Sequence, residues 1–242
     1  MCRATPTTEI ALSTLDMSPS SNGRGSAAWC QSWTHLSVDR RSPAYCRVTF
    51  DHPPVNTITA TTVAELAEVI GLIEQDVDLN VVVFDSANPD FYLAHYDVEN
   101  DAGRTAALGV GPTGMPAWLD LLVRLSRAPV VSIASIRGRA RSAGSEFLLA
   151  CDLRLASREN TLIGRFESGA PVDRLSRLVG RGRALEILLV ADDLDGPRAE
   201  QYGYVNRLVA DDQLDAEVDM MAARIAQLDH DAIARTKARV NA

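Results

Sequence analysis

One stretch of this chain limits its fold more than any other. From Ile136 it reads I-R-G-R-A-R-S-A-G-S-E-F-L-L-A-C-D-L-R-L-A-S, and from Asn160 it continues N-T-L-I-G-R-F-E to Glu167. The small residues Ser142, Ala143 and Gly144 make a turn that opens an apolar helix, predicted over 144–150. A strand is expected at 152–156 and a short one at 162–164. Two acids stand out from this background: Glu146 inside the helix and Glu167 just after the second strand.

The flanking sequence continues the alternation. Tyr45 to Phe50 (Y-C-R-V-T-F) reads as a strand, broken by Asp51-His52-Pro53-Pro54. Residues 59–75 carry apolar side chains at helical spacing (Val63, Leu66, Val69, Ile70, Ile73), with Thr59, Thr61 and Thr62 as candidate N-caps. Asn80 to Phe84 is a buried strand, 86–98 a loop and 103–114 a glycine-rich linker. An amphipathic helix over 116–126 puts Trp118, Leu121, Leu122 and Leu125 on its apolar side, and a strand over 130–136 follows. Further helices are expected at 181–189, 197–202, 212–227 and 231–240, with a short strand at 205–209. Strand–helix–strand units followed by helices predict an α/β domain with a helical C-terminal tail. Residues 1–34 are rich in Ser, Thr, Gly and Ala without a clear period and are expected to form a disordered extension.

Composition narrows the function. The 242 residues are 46% hydrophobic and 23% charged, enough for one sizeable core. A net charge of −8 argues against nucleic acid as a partner. No apolar run reaches the roughly 18 residues of a membrane span. The N-terminus lacks the basic-then-apolar pattern of a secretory signal, so a soluble cytoplasmic protein is expected. Cys2, Cys30, Cys46 and Cys151 lack metal-ligand spacing and read as reduced structural thiols. Nothing resembles a Rossmann G-x-G-x-x-G, a P-loop or an HExxH site.

The 142–146 segment has a chemistry of its own. N–H groups in the first turn of a helix lack intrahelical acceptors and carry partial positive charge. With two carboxylates nearby they suit the stabilisation and protonation of an enolate. Taken alone, the same small residues also serve close helix packing, and an acid in a first turn is favoured by the helix dipole.

Six segments, in order, resemble the crotonase superfamily of enoyl-CoA hydratases and isomerases. They are V-T-F-D-H-P-P-V-N (48–56), F-Y-L-A-H-Y-D-V (91–98), A-P-V-V-S-I-A-S-I-R-G (128–138), S-E-F-L-L-A-C-D-L-R-L-A-S (145–157), L-S-R-L-V-G-R-G-R-A-L-E-I-L-L (175–189) and A-E-Q-Y-G-Y-V-N-R-L-V (199–209). The resemblance implies an α/β fold: a crotonase-like spiral of repeated β–β–α units over 35–209, then a C-terminal helical region over 210–242. That last region is expected to serve trimerisation, giving a homotrimer or a dimer of trimers. The implied substrate is an acyl-CoA thioester. No separate cofactor is implied, because coenzyme A is part of the substrate.

The resemblance also implies roles. The backbone N–H groups of Tyr96 and Ala143 would form an oxyanion hole for the thioester oxygen. Glu146 matches the first catalytic glutamate and Glu167, in G-R-F-E, the second. In hydration one carboxylate, assigned to Glu146, positions water for attack at Cβ, and the other, Glu167, delivers a proton to Cα. Ala94, His95, Arg139 and Arg141 are weaker candidates for substrate contacts.

The match has departures. Only S-G-A-P-V separates Glu167 from the helix expected at 173–179, where the family has a longer Gly- and Pro-rich segment, and Phe166 stands at the usual proline. The chain stops at Ala242, where many members continue into a last helix, so a shortened C-terminal region is expected. Beside the leading expectation of a 2-enoyl-CoA hydratase stand three others: an enoyl-CoA isomerase, a thioester hydrolase or decarboxylase, and a catalytically impaired CoA-binding or assembly protein.

Overall fold

The computed structural model describes Trp29 and residues 31–97, 101–164, 172–190 and 192–242. The extension expected over 1–34 falls largely outside these. Trp29 is buried, and its indole N–H donates to Asp76 at 2.9 Å.

Strands β1 (Leu36–Ser42) and β2 (Tyr45–Phe50) form an antiparallel pair that leads to helix α1 (Ala60–Gln75), capped by the Thr59 hydroxyl. Next come β3 (Val81–Ser86), β4 (Phe91–Leu93), α2 (Ala102–Ala107) and α3 (Ala117–Arg127). Then β5 (Val131–Arg141) runs into α4 (Ala143–Ala150), and β6 (Leu153–Gly164) precedes α5 (Val172–Val179) and α6 (Arg181–Val190). The short elements β7 (Leu194–Asp195), α7 (Gly196–Tyr202) and β8 (Arg207–Val209) are followed by α8 (Leu214–Ala226) and α9 (His230–Val240). Sequence periodicity did not give β1, β4, β7 or α2, and the last three are too short to show one. Strand β4 lies within the expected loop, and α2, with sequence A-G-R-T-A-A, begins one residue before the expected linker and runs into it.

Strands β2, β3, β5 and β6 pair side by side in parallel. The first part of β5 runs along β3 (Val81↔Val131 to Phe84↔Ala134), and its second part along β4 (Phe91↔Arg139). Between the two lies Gly138 at φ +72°, where a Cβ would sit 2.2 Å from the Asp90 carbonyl carbon. Strand β6 follows the same course, pairing Leu153–Ala156 and then Thr161–Gly164 with β5. The two strands expected at 152–156 and 162–164 are therefore one. The polar Ser157–Asn160 segment is absorbed as the register shift where the strand passes from one layer to the next. Each long strand thus does the work of two, and the repeated strand–strand–helix turn makes a spiral.

The run V-V-V-F of β3 is continuous because both of its faces are covered. Val82 and Phe84 join the main core with Phe50, Tyr92 and Phe147. Val81 and Val83 face a second cluster with Ile133, Leu155 and, from α8, Leu214, Val218 and Ala222. Phe147 meets Phe50 and Phe84 edge to face at 5.3 and 5.1 Å, which seats α4 on the sheet. Among the described residues no helix is long and apolar enough to cross a membrane.

Candidate active site

All eight residues of α4 are buried. A helix with no wet face must have both ends satisfied inside the protein. At its C-terminus the Arg154 guanidinium, 4% exposed, donates to the carbonyls of Leu148 (3.2 Å), Cys151 (2.7 Å) and Tyr204 (2.7 Å). At its N-terminus Ser142 takes φ 53° and ψ −120°, a conformation that L-residues adopt only when their surroundings impose it. Its N–H donates to Gly164 O at 3.2 Å, and the Ser145 hydroxyl donates to Ala140 O and Gly164 O at 2.8 and 3.0 Å. Gly144 N–H donates to Ala94 O at 3.3 Å. A Cβ on Gly144 would lie 2.2 Å from Leu93 O, so only glycine lets the 93–96 loop approach the helix start this closely. Ala143 N–H, between these anchored neighbours, has no backbone acceptor among the described residues.

The opposing loop is held just as tightly. Asn56, 1% exposed, donates from Nδ2 to Phe91 O and Tyr92 O, each at 3.2 Å. Ala94 N–H donates to Asn56 O (3.2 Å), Ile58 N–H to His95 O (3.1 Å) and Asp97 N–H to Ile58 O (3.0 Å). In this parallel bridge the groups of residues 95 and 97 are spent on Ile58, so Tyr96 N–H faces away from it. Tyr96 N–H likewise has no backbone acceptor among the described residues.

Glu146 lies one turn into α4 and is 9% exposed. The indole N–H of Trp118, at the start of α3, donates to its Oε2 at 2.8 Å. The Tyr96 ring stands edge-on to Trp118, 5.4 Å between centroids at 85°. Among the described residues the buried Tyr96 hydroxyl has no hydrogen-bond partner. Burial first, and then the Glu146 charge, push its phenol far above the usual tyrosine range. Trp118 was legible in the sequence only as a core residue. Its signal was a donor that needs a partner once buried, but which acid it would meet was not.

The remaining candidates divide. Ala94 is buried and gives its carbonyl to Gly144, whereas His95 is exposed and contributes its carbonyl to Ile58. Arg139 lies over the Phe91 ring at 5.6 Å, and Arg141 pairs with Asp193. Glu167 and the short segment after it lie outside the described residues. Gly164, the last described residue before it, is bonded to Ser142 and Ser145 at the start of α4. Among the described residues no group of His, Cys, Asp and Glu is disposed to hold a metal ion. Two backbone N–H groups on directly bonded loops, with a buried carboxylate one turn away, can stabilise an oxygen gaining negative charge and move a proton beside it.

Residues 40–242 match the sequence profile of the enoyl-CoA hydratase/isomerase family. A short-chain-enoyl-CoA hydratase of Clostridium acetobutylicum is 29% identical over 204 residues, covering 80% of this chain and 76% of that protein. A solved structure from Streptomyces avermitilis, provisionally described as an enoyl-CoA hydratase, superposes with a TM-score of 0.81 at 40% identity over 87% of this chain and 78% of that one. A monofunctional enoyl CoA isomerase from M. smegmatis superposes with a TM-score of 0.72 at 25% identity over 85% and 91% of the two chains. The profile spans the spiral, the buried helix and the C-terminal helices alike, and the chain belongs to the enoyl-CoA hydratase/isomerase family.

Proposed function

We propose that this enzyme is a 2-enoyl-CoA hydratase, which adds water reversibly across the C2–C3 double bond of an acyl-CoA thioester. An acyl-CoA substrate fits the family. The observation that carries the reading is the Gly144 N–H to Ala94 O bond, which joins the two loops beside the buried Glu146. On this reading the N–H groups of Tyr96 and Ala143 receive the thioester oxygen as it becomes an enolate. Losing one such donor typically costs ~10²–10³ in rate. Glu146 takes a proton from water as the oxygen bonds to C3, and Glu167 gives a proton to C2, so the net addition is one water. No separate cofactor takes part, and coenzyme A stays on the product. The setting is cytoplasmic fatty acid metabolism, with neither nucleic acid nor membrane as partner, and the assembly is a homotrimer or a dimer of trimers.

A second reading, an enoyl-CoA isomerase, draws on the fact that Glu146 is the site carboxylate among the described residues, since one acid suffices to shuttle a proton between carbons. Purified protein mixed with short and medium 2-enoyl-CoAs is expected to bleach the conjugated thioester absorbance. Glu146→Gln is expected to lower kcat by about 100-fold or more with little change in KM. Thioester binding without turnover would identify an impaired binding protein. Gain of conjugation from 3-enoyl-CoA alone would identify an isomerase. An unchanged kcat in Glu146→Gln would remove the assigned role.

A further inference from the structure

We infer that Trp118 positions the Glu146 carboxylate, coupling the acid–base group to the loop that carries the Tyr96 N–H; this rests on Glu146 being the acid–base residue of the proposed reaction. Trp118 comes from α3, an element that supplies neither of the two backbone donors. Its Nε1–H lies 2.8 Å from Glu146 Oε2, and both side chains are buried. Glutamate has three side-chain torsions, and burial alone does not choose among their settings. A donor fixed on one oxygen sets the carboxylate plane and hence the direction of the other oxygen, the geometry on which proton transfer depends.

The indole is itself held in place. Tyr96 meets it edge-on, 5.4 Å between centroids at 85°, and Phe147 packs against it at 6.5 Å and 31°. Tyr96 thus faces the site twice. Its backbone lies in the loop bonded to the start of α4, and its ring braces the group that holds Glu146. A displacement of that loop would be felt at the carboxylate through one ring contact and one hydrogen bond. The indole also has a chemical bias. It donates and cannot accept, so it favours the ionised carboxylate over the acid. This suits a residue that must begin the forward reaction as a base.

Trp118→Phe keeps a ring against Tyr96 and removes the donor. The expected result is a kcat about ten-fold lower, as for loss of one hydrogen bond to a charged group, with KM within about two-fold. The acid limb of the kcat–pH profile should move to higher pH, because the carboxylate loses a donor that stabilises its charged form. A kcat and an acid limb both equal to those of the parent would overturn the inference. A second measurement does not need that variant to fold. The Trp118 indole N–H resonance, distinguished from those of Trp29 and Trp33 by single replacement of each, should titrate with Glu146 in the parent protein. It should not titrate in Glu146→Gln. The same titration in both proteins would overturn the inference. Loss of activity in Glu146→Gln with a parent-like Trp118→Phe would sink this inference alone, whereas full activity in Glu146→Gln would sink the hydratase reading on which it stands.

Discussion

Tyr96 carries its proposed role on the backbone and a liability on the side chain. Its hydroxyl is buried without a partner among the described residues, and an unsatisfied buried polar group costs about 1–3 kcal/mol. Tyr96→Phe should therefore raise the unfolding free energy in urea by about 1 kcal/mol. It should leave kcat within about two-fold, because the N–H is retained. A large loss of kcat would instead put the hydroxyl into the chemistry. At this scale the motif residues Tyr96, Ala143 and Glu146 were legible, since each belongs to a short segment whose local sequence is distinctive. Trp118 and Arg154 were not. The partner of Trp118 lies 28 positions away, and Arg154 reaches Tyr204 across 50.

At the scale of elements, α4 depends on Arg154. The guanidinium satisfies three carbonyls through buried hydrogen bonds, and its burial is tolerable only because all three are there. Arg154→Met should fill much of the space and leave those carbonyls unpaired, lowering stability by about 3 kcal/mol in urea denaturation. A loss below about 0.5 kcal/mol would mean that the helix end is held by other means. The apolar periodicities that predicted α1, α3 and the strands β2 and β3 needed only local sequence. The continuity of β6 through Ser157–Asn160 did not follow from local sequence, because four polar residues look like a loop until β5 is seen to pair with the residues on either side of them.

For the whole molecule, burial of proton-bearing groups sets an alkaline limit. Burial pushes the Cys46 and Cys151 thiols from the ordinary 9.0 up to about 12. Burial, and then a hydrogen bond to Asp219, raises the Tyr45 phenol from 10.0 to about 12. The folded chain keeps these protons where the unfolded chain loses them. Their contribution is thus fully present below about pH 9 and is lost as pH rises from about 9 to about 12. The urea midpoint should stay level from pH 7 to about 8.5 and fall steadily above 9. A midpoint level to pH 11 would contradict the burial of both thiols. The C-terminal helices share this dependence on tertiary contact. Lys237 Nζ reaches from α9 to Asp152 at 2.7 Å and to Val130 O at 2.8 Å, tying the last helix to the sheet.

What the amino-acid sequence determined alone is the part of the design that repeats or clusters locally. That part includes the alternation of strands and helices and the small-residue turn before Glu146. Side-chain period and turn chemistry act over a few residues, so they are readable in a line. Tertiary structure decided which groups meet: Gly144 against Leu93, Trp118 on Glu146, and Arg154 under α4. Those pairings come from the pitch of a spiral that brings distant turns into register. No local pattern encodes the distance between one turn and the next.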